Sequence, residues 1–144
     1  NPWKKWMTKK FVDNASFSGD LVLMRSAETY LIEAEGLAQT DKLEDAKDAL
    51  FVLQSKRDPS AVRSTAASKG ELIDEILLER RKELYGEMGV QYFDLKRYQR
   101  PLVRDGNQWS VLNVPANDNR WRWQFPQTEM DANKSLTSAD QNPL

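Results

Sequence analysis

The sequence predicts an all-α fold of helix hairpins followed by an irregular C-terminal segment, and three observations carry that expectation. Apolar residues recur at three- and four-residue intervals through successive stretches between residues 21 and 85. Breaks at Thr40-Asp41 and Asp58-Pro59 divide those stretches. Beyond Pro101 the period vanishes, and Asn, Asp, Pro and Trp take over. The expected organisation is a lead-in segment over 1–19, a helical hairpin region over 20–100 and an irregular segment over 101–144 wrapping the helices.

The first helix is expected from Leu21, with Leu23, Met24, Ala27, Tyr30, Leu31, Ala34, Leu37 and Ala38 on one face and Asp20 or Ser18 as its N-cap. The second presents Leu43, Ala46, Ala49, Leu50 and Leu53, with Glu44 three residues after Asp41 in a capping arrangement. So short a connection makes the two an antiparallel hairpin. Pro59 ends the second helix because proline disfavours the α conformation in the residue before it. The third helix opens with a capping box, Ser68 and Glu71, and its face is Leu72, Ile73, Ile76, Leu77, Leu84 and Tyr85. After Gly86 and Gly89, residues 91–98 form a short fourth helix ended by Pro101. Short strands are expected at 109–112 and 121–125.

Composition excludes most enzyme chemistry before any motif is read. The 144 residues carry 21 Lys and Arg against 22 Asp and Glu, a formal net charge of −1, with neither Cys nor His. Thiol nucleophiles, thiolate metal sites and disulfides are therefore excluded, and so are the Ser-His-Asp triad and imidazole bases. No cofactor and no metal is expected. A globule of this length buries roughly 70% of its unfolded surface, enough for a core without staples. The longest apolar run, Ala49-Leu50-Phe51-Val52-Leu53, is far short of the ~20 residues that cross a bilayer. The chain opens at Asn1 with no leader pattern, which reads as a processed or excised piece whose targeting signal lies upstream.

Glu79 and Glu83 sit among Arg80, Arg81 and Lys82, where positive charge favours ordinary ionised carboxylates over acid/base work. With Asp94 and Arg97 they read as a structural ion-pair network, in which Arg80 or Arg81 ties the third helix to Asp94 on the fourth. The pair Glu33/Glu35 carries no stronger catalytic signal. Lys4, Lys5, Lys9 and Lys10 alternate with Trp3, Trp6 and Phe11, yet the chain as a whole is slightly acidic. Arg97, Arg100 and Arg104 do not make a stripe, so nucleic acid is not an expected partner. Flat aromatic faces stack on the apolar C–H surface of sugar rings, which makes Trp109, Trp3 and Trp6 the candidate ligand-binding residues, against the competing reading that they pack on the fold. Trp121 and Trp123, flanked by Arg120 and Arg122, are expected to face inward together.

The order of motifs resembles one family. The stretch Arg25-Ser26-Ala27-Glu28-Thr29-Tyr30-Leu31-Ile32-Glu33-Ala34-Glu35 is similar to the "RxAExYLixAEA" helix of the SusD/RagB family, and Ile76-Leu77-Leu78-Glu79-Arg80-Arg81-Lys82-Glu83-Leu84 to its "ILxERRxEL" signature. Gln91-Tyr92-Phe93-Asp94-Leu95-Lys96-Arg97 resembles the "RWxDLxR" sequel, Phe125-Pro126-Gln127-Thr128-Glu129 the "IPxxE" element and Gln141-Asn142-Pro143 the closing "QNP". Departures are Gln54-Ser55-Lys56-Arg57, where the family shows an Asn before the Arg that ends the second helix, and Leu144 in place of Gly-Tyr.

The resemblance implies tetratricopeptide-like hairpins and the C-terminal portion of a surface-exposed outer-membrane lipoprotein. Such a protein captures a glycan or oligosaccharide without catalysis and passes it to a SusC-like TonB-dependent transporter. It touches the membrane only through a lipid anchor upstream of this chain. The competing expectation is a free-standing helical-repeat scaffold whose groove takes a peptide or protein partner. A glycosidase would need an isolated, apolar-flanked carboxylic acid opposite a second carboxylate, and the sequence offers none.

Overall fold

The structure is a computed structural model, and it describes residues 23–105 and 110–143. Helix α1 runs Ser26–Gln39, α2 Leu43–Arg57, α3 Lys69–Glu83, α4 Val90–Arg97 and the short α5 Gln127–Ala132. Strands β1 (Leu102–Arg104) and β2 (Leu112–Val114) form a two-stranded antiparallel ribbon with Val103 opposite Asn113. The all-α reading holds, with this ribbon as the only strand pairing among the described residues.

The α1 stripe is Ala27, Leu31, Ala34 and Ala38, and α2 answers with Ala46, Leu50 and Leu53. Alanine on both sides lets the two backbones approach closely. Lying across both, α3 buries Leu72, Ile73 and Ile76, with Ala66 and Leu84 closing the same core. Helix α4 packs on α3.

The α1–α2 reversal is made by a left-handed residue. Asp41 has φ 62, Lys42 N–H donates to the Leu37 carbonyl at 3.0 Å, and Asp41 N–H to the Ala38 carbonyl at 3.2 Å. This Schellman arrangement satisfies carbonyls that the helix end leaves open. The end of α4 repeats it with Gln99 at φ 49, Arg100 N–H donating to the Leu95 carbonyl at 2.8 Å. In both turns a non-glycine residue occupies the position where glycine is the default.

Several expectations need correction. Residues 23–25 are not helical, so α1 starts at Ser26 and its N-cap is Arg25. Asp20 and Ser18 lie outside the described residues. Asp41 does not cap α2, because it serves the turn; the N-cap is Lys42, without a side-chain cap. Leu23, Met24, Tyr30 and Tyr85 are exposed: Leu23 and Met24 precede α1, Tyr85 follows α3, and Tyr30 lies beside the buried stripe of α1. The strand over 109–112 is displaced to β2, paired with a segment right after Pro101 that is too short to show a period. Over 121–125 there is no strand: Trp121 ends a 3-10 turn begun by the Asp118 side chain, and the residues that follow carry no regular secondary structure. The Ser68–Glu71 capping box forms as expected.

Candidate functional site

Two ion-pair networks stitch the hairpins together, and each draws on all the helices around it. In the first, Arg80 on α3 donates from Nε to Asp94 Oδ2 on α4 at 2.8 Å, with both side chains about nine-tenths buried. Arg97 reaches Asp94 Oδ1 at 2.8 Å and forks onto Glu35 of α1, with Nη2 2.6 Å from Oε2. Tyr98 donates its hydroxyl to Glu35 at 2.5 Å and accepts from Gln39 at 2.9 Å. One face of α1 is thereby tied to α3 through α4.

In the second network, Glu83 at the end of α3 takes two hydrogen bonds from Arg57 of α2, at 2.6 and 2.9 Å, and a further ion pair from Arg25 at the start of α1. Arg25 Nε also donates to Glu87 at 3.0 Å. Guanidinium forks join the helix termini at this corner, and Arg25 also donates to the Glu83 backbone carbonyl.

The electrostatics follow from these contacts. Burial pushes the Glu35 carboxyl up, but hydrogen bonds from Arg97 and Tyr98 outweigh it and leave Glu35 below the usual carboxylate range. Glu83 behaves the same way, with Arg57 and Arg25 overcoming burial. The hydrogen bond to Glu35 holds Arg97 charged more firmly than a free guanidinium. Burial, then the Glu35 contact, pushes the Tyr98 phenol up. Every one of these carboxylates is held ionised, so none is poised as a general acid. Among the described residues no group of acidic side chains could hold a metal ion.

The expected tie between α3 and Asp94 is made by Arg80. Its neighbour Arg81 is exposed and takes no ion pair among the described residues, so it leaves the network. Glu79 is buried and its contact is Lys82 at 3.4 Å. Glu28, Glu35, Tyr98, Arg25, Arg57 and Glu87 join without having been singled out for that role. A signal existed for two of them: Glu28 and Glu35 each follow a core alanine by one position and stand seven residues apart, which puts both on the border of the α1 stripe. The candidate ligand residues Trp109, Trp3 and Trp6 lie outside the described residues.

The C-terminal aromatics separate. Trp121 is buried; its indole N–H donates to the Pro115 carbonyl at 2.6 Å, and its own carbonyl accepts from the Tyr92 hydroxyl at 2.8 Å. Trp123 is 81% exposed, against the expectation that both face inward. The 3-10 turn at Asn119–Trp121 breaks the extended geometry on which that expectation rested. Gln141 holds Phe125 by both backbone groups, accepting from its N–H at 2.8 Å and donating to its carbonyl at 3.1 Å. Asn142 donates to the Trp123 carbonyl at 2.7 Å.

The family of the chain is decided by its whole length, because residues 1–144 match the SusD family (SusD_RagB). The chain belongs to the SusD family. No curated protein and no solved structure matches it. The SusD family is one of nutrient-binding, non-catalytic proteins associated with the outer membrane, and membership gives the chain a glycan-binding role in those general terms. In this SusD-family chain, the "ERR" and "DL" motifs are the Arg80–Asp94 staple, and the "QNP" motif is the clamp on residues 123–125. No helix among the described residues is long and apolar enough to cross a membrane.

Proposed function

We propose that this chain is the C-terminal portion of a surface-exposed lipoprotein that captures an oligosaccharide and passes it to a SusC-like TonB-dependent outer-membrane transporter. The observation that carries the reading is the family match over all 144 residues. The site chemistry supports it: Glu35, Glu83 and Asp94 are each engaged by arginine, and arginine-paired carboxylates serve architecture rather than proton transfer. Glu79, Arg80, Glu83, Asp94 and Arg97 are structural in this reading, and Arg81 is a solvated neighbour.

Capture relies on aromatic faces against sugar rings and on hydrogen bonds to hydroxyls, with avidity over repeated sugars supplying retention where single contacts are weak. Trp109, Trp3 and Trp6 are proposed contributors. Association with the membrane runs through a lipid anchor upstream of this chain.

The test is retention of the full-length protein in native gels containing dissolved polysaccharides, together with affinity purification from solubilised outer membranes. Retardation by at least one glycan and co-purification of a TonB-dependent barrel are expected. Free migration on every polysaccharide, with no barrel recovered, would sink the reading and return the chain to a peptide-binding helical scaffold.

A further inference from the structure

The exposed indole of Trp123 belongs to neither ion-pair network and to no part of the core. Its backbone is extended on both sides, with Arg122 at φ −111, ψ 130 and Pro126 at φ −54, ψ 139. Residues two apart share a face, about 7 Å apart, where the backbone stays extended, and Phe125, two residues on and itself 41% exposed, takes a strand-like pair of hydrogen bonds from and to Gln141. The segment is not held by a sheet. Gln141 mimics a neighbouring strand for Phe125, while Asn142 binds the Trp123 carbonyl and accepts from the Gln124 amide at 3.2 Å. Side-chain hydrogen bonds thus fix the backbone from which the ring projects.

We propose that Trp123, with Phe125 on the same face, is a ring-stacking platform for a neutral oligosaccharide, and that Gln141 and Asn142 are its positioning residues. Three features favour a sugar over a protein surface. The indole is flat, rigid and 81% exposed, a shape that suits the apolar side of a pyranose. Of its exposed sequence neighbours only Phe125 and Pro126 are apolar, while Arg122, Gln124, Gln127 and Thr128 are polar, which is a smaller apolar area than a protein interface presents. Arg122 takes no ion pair among the described residues and carries five N–H donors for hydroxyls. Pre-fixing the backbone also lowers the ordering cost of binding.

This inference rests on the glycan-capture reading, and its test separates the two. The full-length protein is titrated calorimetrically with hexasaccharides of α-1,4-glucan, β-1,4-glucan, β-1,4-mannan and β-1,4-xylan. For whichever binds, Trp123→Ala is expected to weaken binding roughly tenfold with an unchanged melting temperature, and Trp123→Phe to restore part of it. Gln141→Ala frees the Phe125 backbone while Asn142 still holds the Trp123 carbonyl, and a smaller loss, about threefold, is expected. Trp123 oxidation by N-bromosuccinimide in the wild-type protein, mapped by mass spectrometry, needs no variant. It should be rapid without sugar and slowed by the bound hexasaccharide. Wild-type binding with unchanged affinity in Trp123→Ala, or a ring that resists oxidation or gains no protection, overturns the platform and leaves glycan capture standing. Absence of binding to all four hexasaccharides, together with free migration on every polysaccharide in the native gels and no barrel recovered, overturns both.

Discussion

Replacing Asp94 isolates the energetic centre of the α3–α4 junction. Asp94→Ala removes the carboxylate that accepts from Arg80 Nε at 2.8 Å and from Arg97 at 2.8 and 3.0 Å. The two arginines suffer differently. Arg97 is 42% exposed in its side chain and keeps its fork on Glu35, so water and Glu35 absorb the loss. Arg80 is 8% exposed in its side chain; its next carboxylate, Glu28, is 4.0 Å away, and its Nη1 has no partner before the substitution. Breaking a buried pair by removing one partner costs about 3–5 kcal/mol, and the residual attraction of Glu28 places this case near 3 kcal/mol. Arg81→Ala, one residue along α3 but exposed, should stay within about 0.5 kcal/mol of wild type. Urea denaturation followed by far-UV circular dichroism reads both. The double variant Arg80→Met/Asp94→Leu should recover most of the loss, because it leaves no buried charge behind. A cost below about 1 kcal/mol for Asp94→Ala, or a double variant no better than the single, would refute the argument that an orphaned Arg80 is the penalty.

Other outcomes follow from the same geometry. Gln99→Gly should stabilise by about 0.5 kcal/mol, the relief of a left-handed backbone at φ 49 less the extra entropy of glycine when unfolded, whereas Gln99→Val should destabilise; denaturation midpoints check both. Ser68→Ala should cost about 1 kcal/mol, since Ser68 accepts from the Glu71 N–H and is half of the α3 capping box. Glu35 and Glu83 have folded pKa values below the unfolded carboxylate value of 4.5, so the unfolded chain binds protons first as pH falls. Their stabilisation is complete above that value and is lost as pH drops through the lower folded values; thermal melts across pH 6 to 3 should show a steepening decline below about 4.5, and a flat profile would contradict it. At the alkaline end, Tyr98 is raised above 10.0 in the fold, so stability should fall as pH climbs past that value, and Tyr98→Phe should remove that arm of the melting profile.

Local periodicity determined much of this molecule without any structure: the three long helices, the capping box at Ser68, the core residues Leu31, Leu50, Leu72 and Ile76, and a staple from Arg80 or Arg81 to Asp94. Those features are legible because each depends on residues within a few turns, or on a charge that an apolar flank forces to find its opposite. What the tertiary structure decided is everything that depends on which surfaces meet. The choice between Arg80 and Arg81 is a matter of which side of α3 turns toward α4. The recruitment of Arg25 and Arg57 depends on three helix ends converging at Glu83, and that of Glu35 on α4 meeting α1, which no single stretch encodes. The opposite fates of Trp121 and Trp123 depend on a 3-10 turn ending between them and on Gln141 and Asn142, sixteen to nineteen residues away, reaching back to hold the extended backbone. Alternation in sequence predicts a shared face only while the backbone stays extended, and here that condition fails at one residue.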